Sequence, residues 1–106
     1  MPVPRAKTVE EYVDLVDQAL FEIEELRMAA EYDMDSMGAS LKFVDKLERQ
    51  VRELRASMGD GSYHFADRDL PFMDLVEDTS DDHLPFKYLL RMINETHRKG
   101  LDVGDG

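Results

Sequence analysis

Two neighbouring amphipathic segments of opposite charge limit what this chain of 106 residues can become. Residues 8–35 carry ten acids against one base, Arg27; residues 36–58 carry Lys42, Lys46, Arg49, Arg52 and Arg55 against Asp45, Glu48 and Glu53. Both also carry an apolar stripe at helical spacing. In the first, Val9, Tyr12, Val16, Ala19, Leu20, Ile23, Leu26 and Ala30 fall on one face at about 100° per residue. In the second, Leu41, Val44, Leu47, Val51, Leu54 and Met58 form a heptad-like row. Two helices that bury their stripes on each other, with complementary charged flanks, satisfy both patterns. The fold class is therefore all-α, built on an antiparallel hairpin of two long amphipathic helices.

Local signals place the ends of these helices. Thr8 followed by Glu11 is a capping box, so the first helix is predicted over 8–32. Gly59-Asp60-Gly61-Ser62 supplies C-cap chemistry after a second helix over 36–58. Between them Asp33, Asp35, Ser36 and Gly38 all prefer a cap or a turn, and predict a break. Met34 and Met37 keep the apolar stripe nearly in phase there. One unbroken helix of about 50 residues, paired with a second chain as a coiled coil, is the competing arrangement.

The remainder is shorter and more irregular. Residues 1–7 read as a flexible leader and 101–106 as a polar tail. Short helices are predicted over 71–77 and 85–98, the last ending on Arg98-Lys99-Gly100. They begin with a small repeat: Asp69-Leu70-Pro71-Phe72-x-x-Leu75 recurs as His83-Leu84-Pro85-Phe86-x-x-Leu89. Proline is tolerated in a first helical turn, with Leu and Phe directed into the core. A duplicated recognition element is the other reading.

Composition narrows function mainly by exclusion. The net charge of −11 repels phosphate backbones, so nucleic acid is a poor partner. Cysteine is absent, which removes disulfides, thiolate metal sites and a cysteine nucleophile. No apolar run approaches the ~18 residues that span a bilayer, so no membrane partner is expected and a cytoplasmic location is the default. The serines show no nucleophile elbow, and no glycine-rich phosphate loop is present. No cofactor is implied. Asn94-Glu95-Thr96 matches a glycosylation acceptor by chance.

Two constellations resemble metal chemistry. Asp33-x-Asp35-x-x-Gly38 opens like a calcium loop, but Met37 and Val44 stand where oxygen ligands are required; Asp78, Ser80 and Asp82 fail in the same way. His64 and His83 with Asp67, Asp69 and Asp81 have the ligand types for a divalent ion, at spacings that do not demand one. His97, near the end of the last helix, would gain from the helix dipole if charged.

The features that suggest activity are surfaces. Phe21 and Met28 lie seven apart on the first helix, roughly opposite its main stripe, with Val13 partway toward them. They form either a second packing face for the C-terminal helices or a contact surface for a partner. The expected function is thus a non-catalytic protein-interaction module, a small acidic adaptor, regulator or chaperone-like protein, with Val13, Phe21 and Met28 at the contact. Spare apolar area on the long helices also predicts a homodimer. The alternative is a metal-binding domain or metal-dependent enzyme using His64, Asp67, Asp69, Asp81 and His83.

Overall fold

The computed structural model describes residues 3–32, 34–79 and 84–102, the side chains of 30–42 excepted. It holds four helices: α1 (Val9–Tyr32), α2 (Met34–Asp60), α3 (Met73–Asp78) and α4 (Lys87–Lys99). Among the described residues there is no strand. Helix α1 packs against both α2 and α4, and α3 packs against α4. No helix is long and apolar enough to cross a membrane among the described residues.

The stripes do what their spacing requires. Tyr12, Val16, Ala19 and Ile23 of α1 are buried with Val44, Leu47, Val51 and Leu54 of α2 in one apolar core. Val9 departs from its stripe and is 62 % exposed at the first turn of α1. Thr8 caps α1: its Oγ1 accepts from the Glu11 N–H at 3.0 Å. Glu11 reaches back to the Lys7 N–H at 2.7 Å, one residue earlier than a standard capping box.

Helix α2 begins earlier than Asp35, Ser36 and Gly38 imply. Helix α1 runs to Tyr32 and α2 begins at Met34, so these three weak formers lie in the opening turns of α2; Asp33 lies outside the described residues. Asp and Ser are tolerated there, because the first turn has unpaired N–H groups and a positive dipole end. A single straight helix is excluded, since side chains 21 and 38 positions apart bond across α1 and α2. At the far end, Gly61 adopts φ +81° and the Tyr63 N–H returns to the Ser57 carbonyl at 3.0 Å.

Cross-helix ion pairs only partly follow the charge contrast. Arg55 Nε donates to Asp17 at 2.7 Å, basic segment to acidic. Arg27 reverses the sense: the lone base of the acidic segment grips Asp45 and Glu48 of the basic one. Glu48 also accepts from Arg52 at 2.9 Å. The Arg52 hydrogen bond, with Arg27 beside it, holds the Glu48 carboxyl below the usual carboxylate range despite some burial. Arg27→Met keeps the stem and removes the fork. It is expected to lower the stability by about 1–2 kcal/mol, as for a partly buried charged hydrogen-bond network. A urea-denaturation midpoint measured at 0.1 and 1 M salt checks this, with the smaller difference at high salt.

The C-terminal half closes over one end of α1. Pro71 and Pro85 sit in turns just ahead of α3 and α4, not in their first helical turns as predicted; Phe72 and Phe86 are the N-caps. Leu70, Phe72, Leu84 and Phe86 are all buried while both prolines are exposed. The repeat is thus a Leu/Phe clamp with a rigid exposed residue between its jaws. Gly100 ends α4 at φ +83°, its N–H bonded to the Thr96 carbonyl at 2.7 Å.

Residues 3–7 are not the loose leader that their prolines suggest. Ala6 is buried, and its N–H donates to Thr96 Oγ1 at 3.0 Å. Its carbonyl accepts from the Asp102 N–H at 2.8 Å, and Arg5 donates to the Lys99 carbonyl at 3.2 Å. The start of the tail is tied down by the same bonds, with Leu101 packed on the core; 103–106 lie outside the described residues. Backbone groups, which hydropathy ignores, make this docking.

Candidate functional site

The core-facing side of α1 fixes what its opposite side must do. With Tyr12, Val16, Ala19 and Ile23 inward, the 100° period points Phe21 and Met28 outward. They remain 60 % and 57 % exposed, although α4 also packs on this helix. Their role as a packing face for the C-terminal helices is thereby excluded. Val13 is half-buried, lies between the buried stripe and Phe21, and forms part of the wall of a cleft of about 230 Å³. Val9, Tyr12, Met58, Tyr63 and Phe65 line the same cleft. Glu10, Asp14, Glu24 and Glu25 flank these positions, all exposed, and none pairs with a base among the described residues.

Behind the cleft lies a joint that the sequence did not announce. Tyr63 OH stands 2.8 Å from Tyr12 OH and 2.7 Å from His97 Nδ1, linking α1, the segment after α2, and α4. Phe65 stacks on Tyr12 at 5.8 Å and meets Tyr63 edge-on at 5.3 Å. His97 is only 7 % exposed. Burial pushes its pKa down, and the Arg68 charge adds to this, so the imidazole is neutral rather than the dipole-stabilised cation its position predicts. Burial also pushes the Tyr12 phenol well up and that of Tyr63 to about 12. In the tautomer that carries its proton on Nε2, Nδ1 accepts, and the chain then runs from Tyr12 to Tyr63 and from Tyr63 to His97. The arrangement binds three elements together.

Among the described residues the metal-ligand candidates do not converge. His64 is exposed. Asp67 and Asp69 lie 3.4 and 3.6 Å from the Arg98 guanidinium. Asp69 also accepts from Asn94 Nδ2 at 3.0 Å, which aims Asn94 Oδ1 at the Leu70 N–H, 2.8 Å away. Asp69 therefore supports the Leu70 clamp. Asp81 and His83 lie outside the described residues. No group of three His, Asp or Glu side chains that could hold a metal ion occurs among the described residues. Of the calcium-like stretches, 34–44 is helical, while 80–83 lies outside the described residues.

Sequence reasoning missed Asn94 and Thr96, both buried. Their signal was present: they share α4 with Leu90, Ile93 and His97, where polar side chains must find partners or cost stability. The glycosylation match drew attention to the same residues for the wrong reason. No protein-family model, curated protein or solved structure matches the chain.

Proposed function

We propose that this chain is a non-catalytic protein-interaction module: an antiparallel hairpin of α1 and α2, closed at one end by α3 and α4, that offers the outward face of α1 to another protein. The observation that carries this reading is the exposure of Phe21 and Met28 on a helix already packed by two neighbours. Large apolar side chains left outward together on a short domain mark a contact surface better than a core. The tyrosine–histidine joint supports the module by setting how α4 and the segment after α2 sit on α1.

The homodimer expected from spare apolar area would not use this face in symmetric form. A two-fold pairing brings the unpaired acids Glu10, Asp14, Glu24 and Glu25 of both copies to one interface, and like charges there oppose association. Another protein is the partner this face suits. Phe21→Ala combined with Met28→Ala is expected to change folding stability by less than about 1 kcal/mol, as for exposed sites. The same variant should lose the partner captured by the wild-type protein from its own cells, read by native mass spectrometry. Unchanged capture, or a large fall in melting temperature, would sink the reading.

A further inference from the structure

Three of the five exposed large apolar side chains among the described residues, Val9, Phe21 and Met28, belong to α1, and a fourth, Phe65, shares a cleft with Val9; Tyr88 is the exception. Val9, Val13, Asp17 and Phe21 are spaced four apart, so they form one i+4 ridge on α1. Asp17, the polar step in that ridge, is already neutralised by Arg55 at 2.7 Å. At its start the ridge borders the cleft of about 230 Å³, whose rim carries Val9 and Phe65. The next step of the ridge is Glu25; Met28, seven residues beyond Phe21, returns to the face of Phe21 two turns further. From Val9 to Met28 the helix rises about 28 Å, roughly the length of a five-turn helix.

Charge says what covers this line. Glu10, Asp14, Glu24 and Glu25 flank it without a base among the described residues, on a chain of net charge −11. We propose that the α1 ridge docks a basic amphipathic helix of another protein, with Lys or Arg flanking an apolar stripe and one apolar anchor seated in the Val9–Phe65 cleft. This rests on the interaction-module reading and names the chemistry of its partner. An i+4 ridge packs into the groove of a facing helix. A second copy of the acidic face lacks the cations that these acids require. The partner's stripe recurs every three or four residues, the spacing that helix-in-groove recognition reads. Its bases speed association and set its register more than they add affinity.

The probe is a synthetic helix of about 20 residues with a leucine stripe flanked by lysines, matched to the length of the ridge. Two controls accompany it: a scrambled peptide of the same composition, and one with glutamate in place of lysine. Binding is followed by amide chemical shifts of the full-length protein. The patterned basic peptide is expected to shift the amides of Val9, Val13, Phe21 and Met28. The scrambled and glutamate peptides are expected to bind at least tenfold more weakly. Phe21→Ala with Met28→Ala, and separately Glu10→Gln, Asp14→Asn, Glu24→Gln and Glu25→Gln together, should each weaken binding about tenfold, a factor worth about 1.4 kcal/mol. Equal binding of the scrambled peptide, shifts confined to other surfaces, or self-association of the free protein through the same residues would each overturn the proposal. If the Phe21/Met28 variant loses its cellular partner while the peptides are indifferent to lysine or glutamate, the partner chemistry fails and the module reading stands.

Discussion

Phe72→Ala is expected to cost about 3–5 kcal/mol, the usual range for deleting a fully buried aromatic ring. Phe72 is the largest of the fully buried side chains and belongs to the same core as Leu70 and Leu54. A domain of this size holds about 5–15 kcal/mol in total, so this one change removes about a fifth of it or more. The melting temperature should fall by about 15 °C or more. Helix α3, of six residues, is too short to persist without tertiary contacts, so its amides should lose exchange protection first. Phe86→Ala should act alike, since Phe86 holds the equivalent place before α4. Pro71→Ala, at an exposed turn position, should stay within about 1 kcal/mol. A loss below about 1 kcal/mol for Phe72→Ala would mean that the Leu-Pro-Phe repeat is a displayed recognition element after all.

The clamp shows which parts of the fold were open to sequence reasoning. Leu70 and Phe72, like the stripes of α1 and α2, were legible because burial of apolar area depends on residue type and period alone. So were Thr8 and Gly100, whose capping chemistry is local. What escaped depends on contacts between distant segments. Ala6 is apolar but small, and its docking rests on backbone bonds to Thr96 and Asp102. Arg27 looked like a stray base in an acidic run; only the approach of α2 brings Asp45 and Glu48 to it. The start of α2 at Met34 was not legible, because propensity does not distinguish a turn from the opening of a helix. At the surface of α1, Phe21 and Met28 were legible as off-stripe residues. Their exposure was not, since it depends on where α4 comes to rest.

The second large effect is a stability profile bounded on both sides by the Tyr12–Tyr63–His97 joint. His97 has a folded pKa below its ordinary value of 6.5, through burial first and Arg68 second. Its contribution is present above the unfolded pKa and is lost as pH falls below about 6.5, because the unfolded chain then takes up a proton that the folded one refuses. The slope is up to about 1.4 kcal/mol per pH unit until the folded pKa is reached. From the Nε2–H tautomer, protonation also reverses the hydrogen-bond chain: a charged Nδ1 donates to Tyr63, Tyr63 donates to Tyr12, and the buried Tyr12 hydroxyl loses its acceptor. Tyr12 and Tyr63 act with the opposite sign. Their folded pKa values are raised above 10.0, that of Tyr63 to about 12, so their contribution is complete below pH 10 and is lost as pH rises above it. His97→Asn keeps an acceptor near the place of Nδ1 but cannot titrate. It should be less stable than the native protein at pH 7.5, and its stability should be flatter between pH 6.5 and 5, a range above most carboxylate titration. Tyr63→Phe removes both hydrogen bonds and is expected to cost about 1–3 kcal/mol at neutral pH. Urea denaturation of the three proteins from pH 5 to 11 reads all of this at once. Parallel acid limbs for the native protein and His97→Asn would show that the imidazole is not what ties folding to pH.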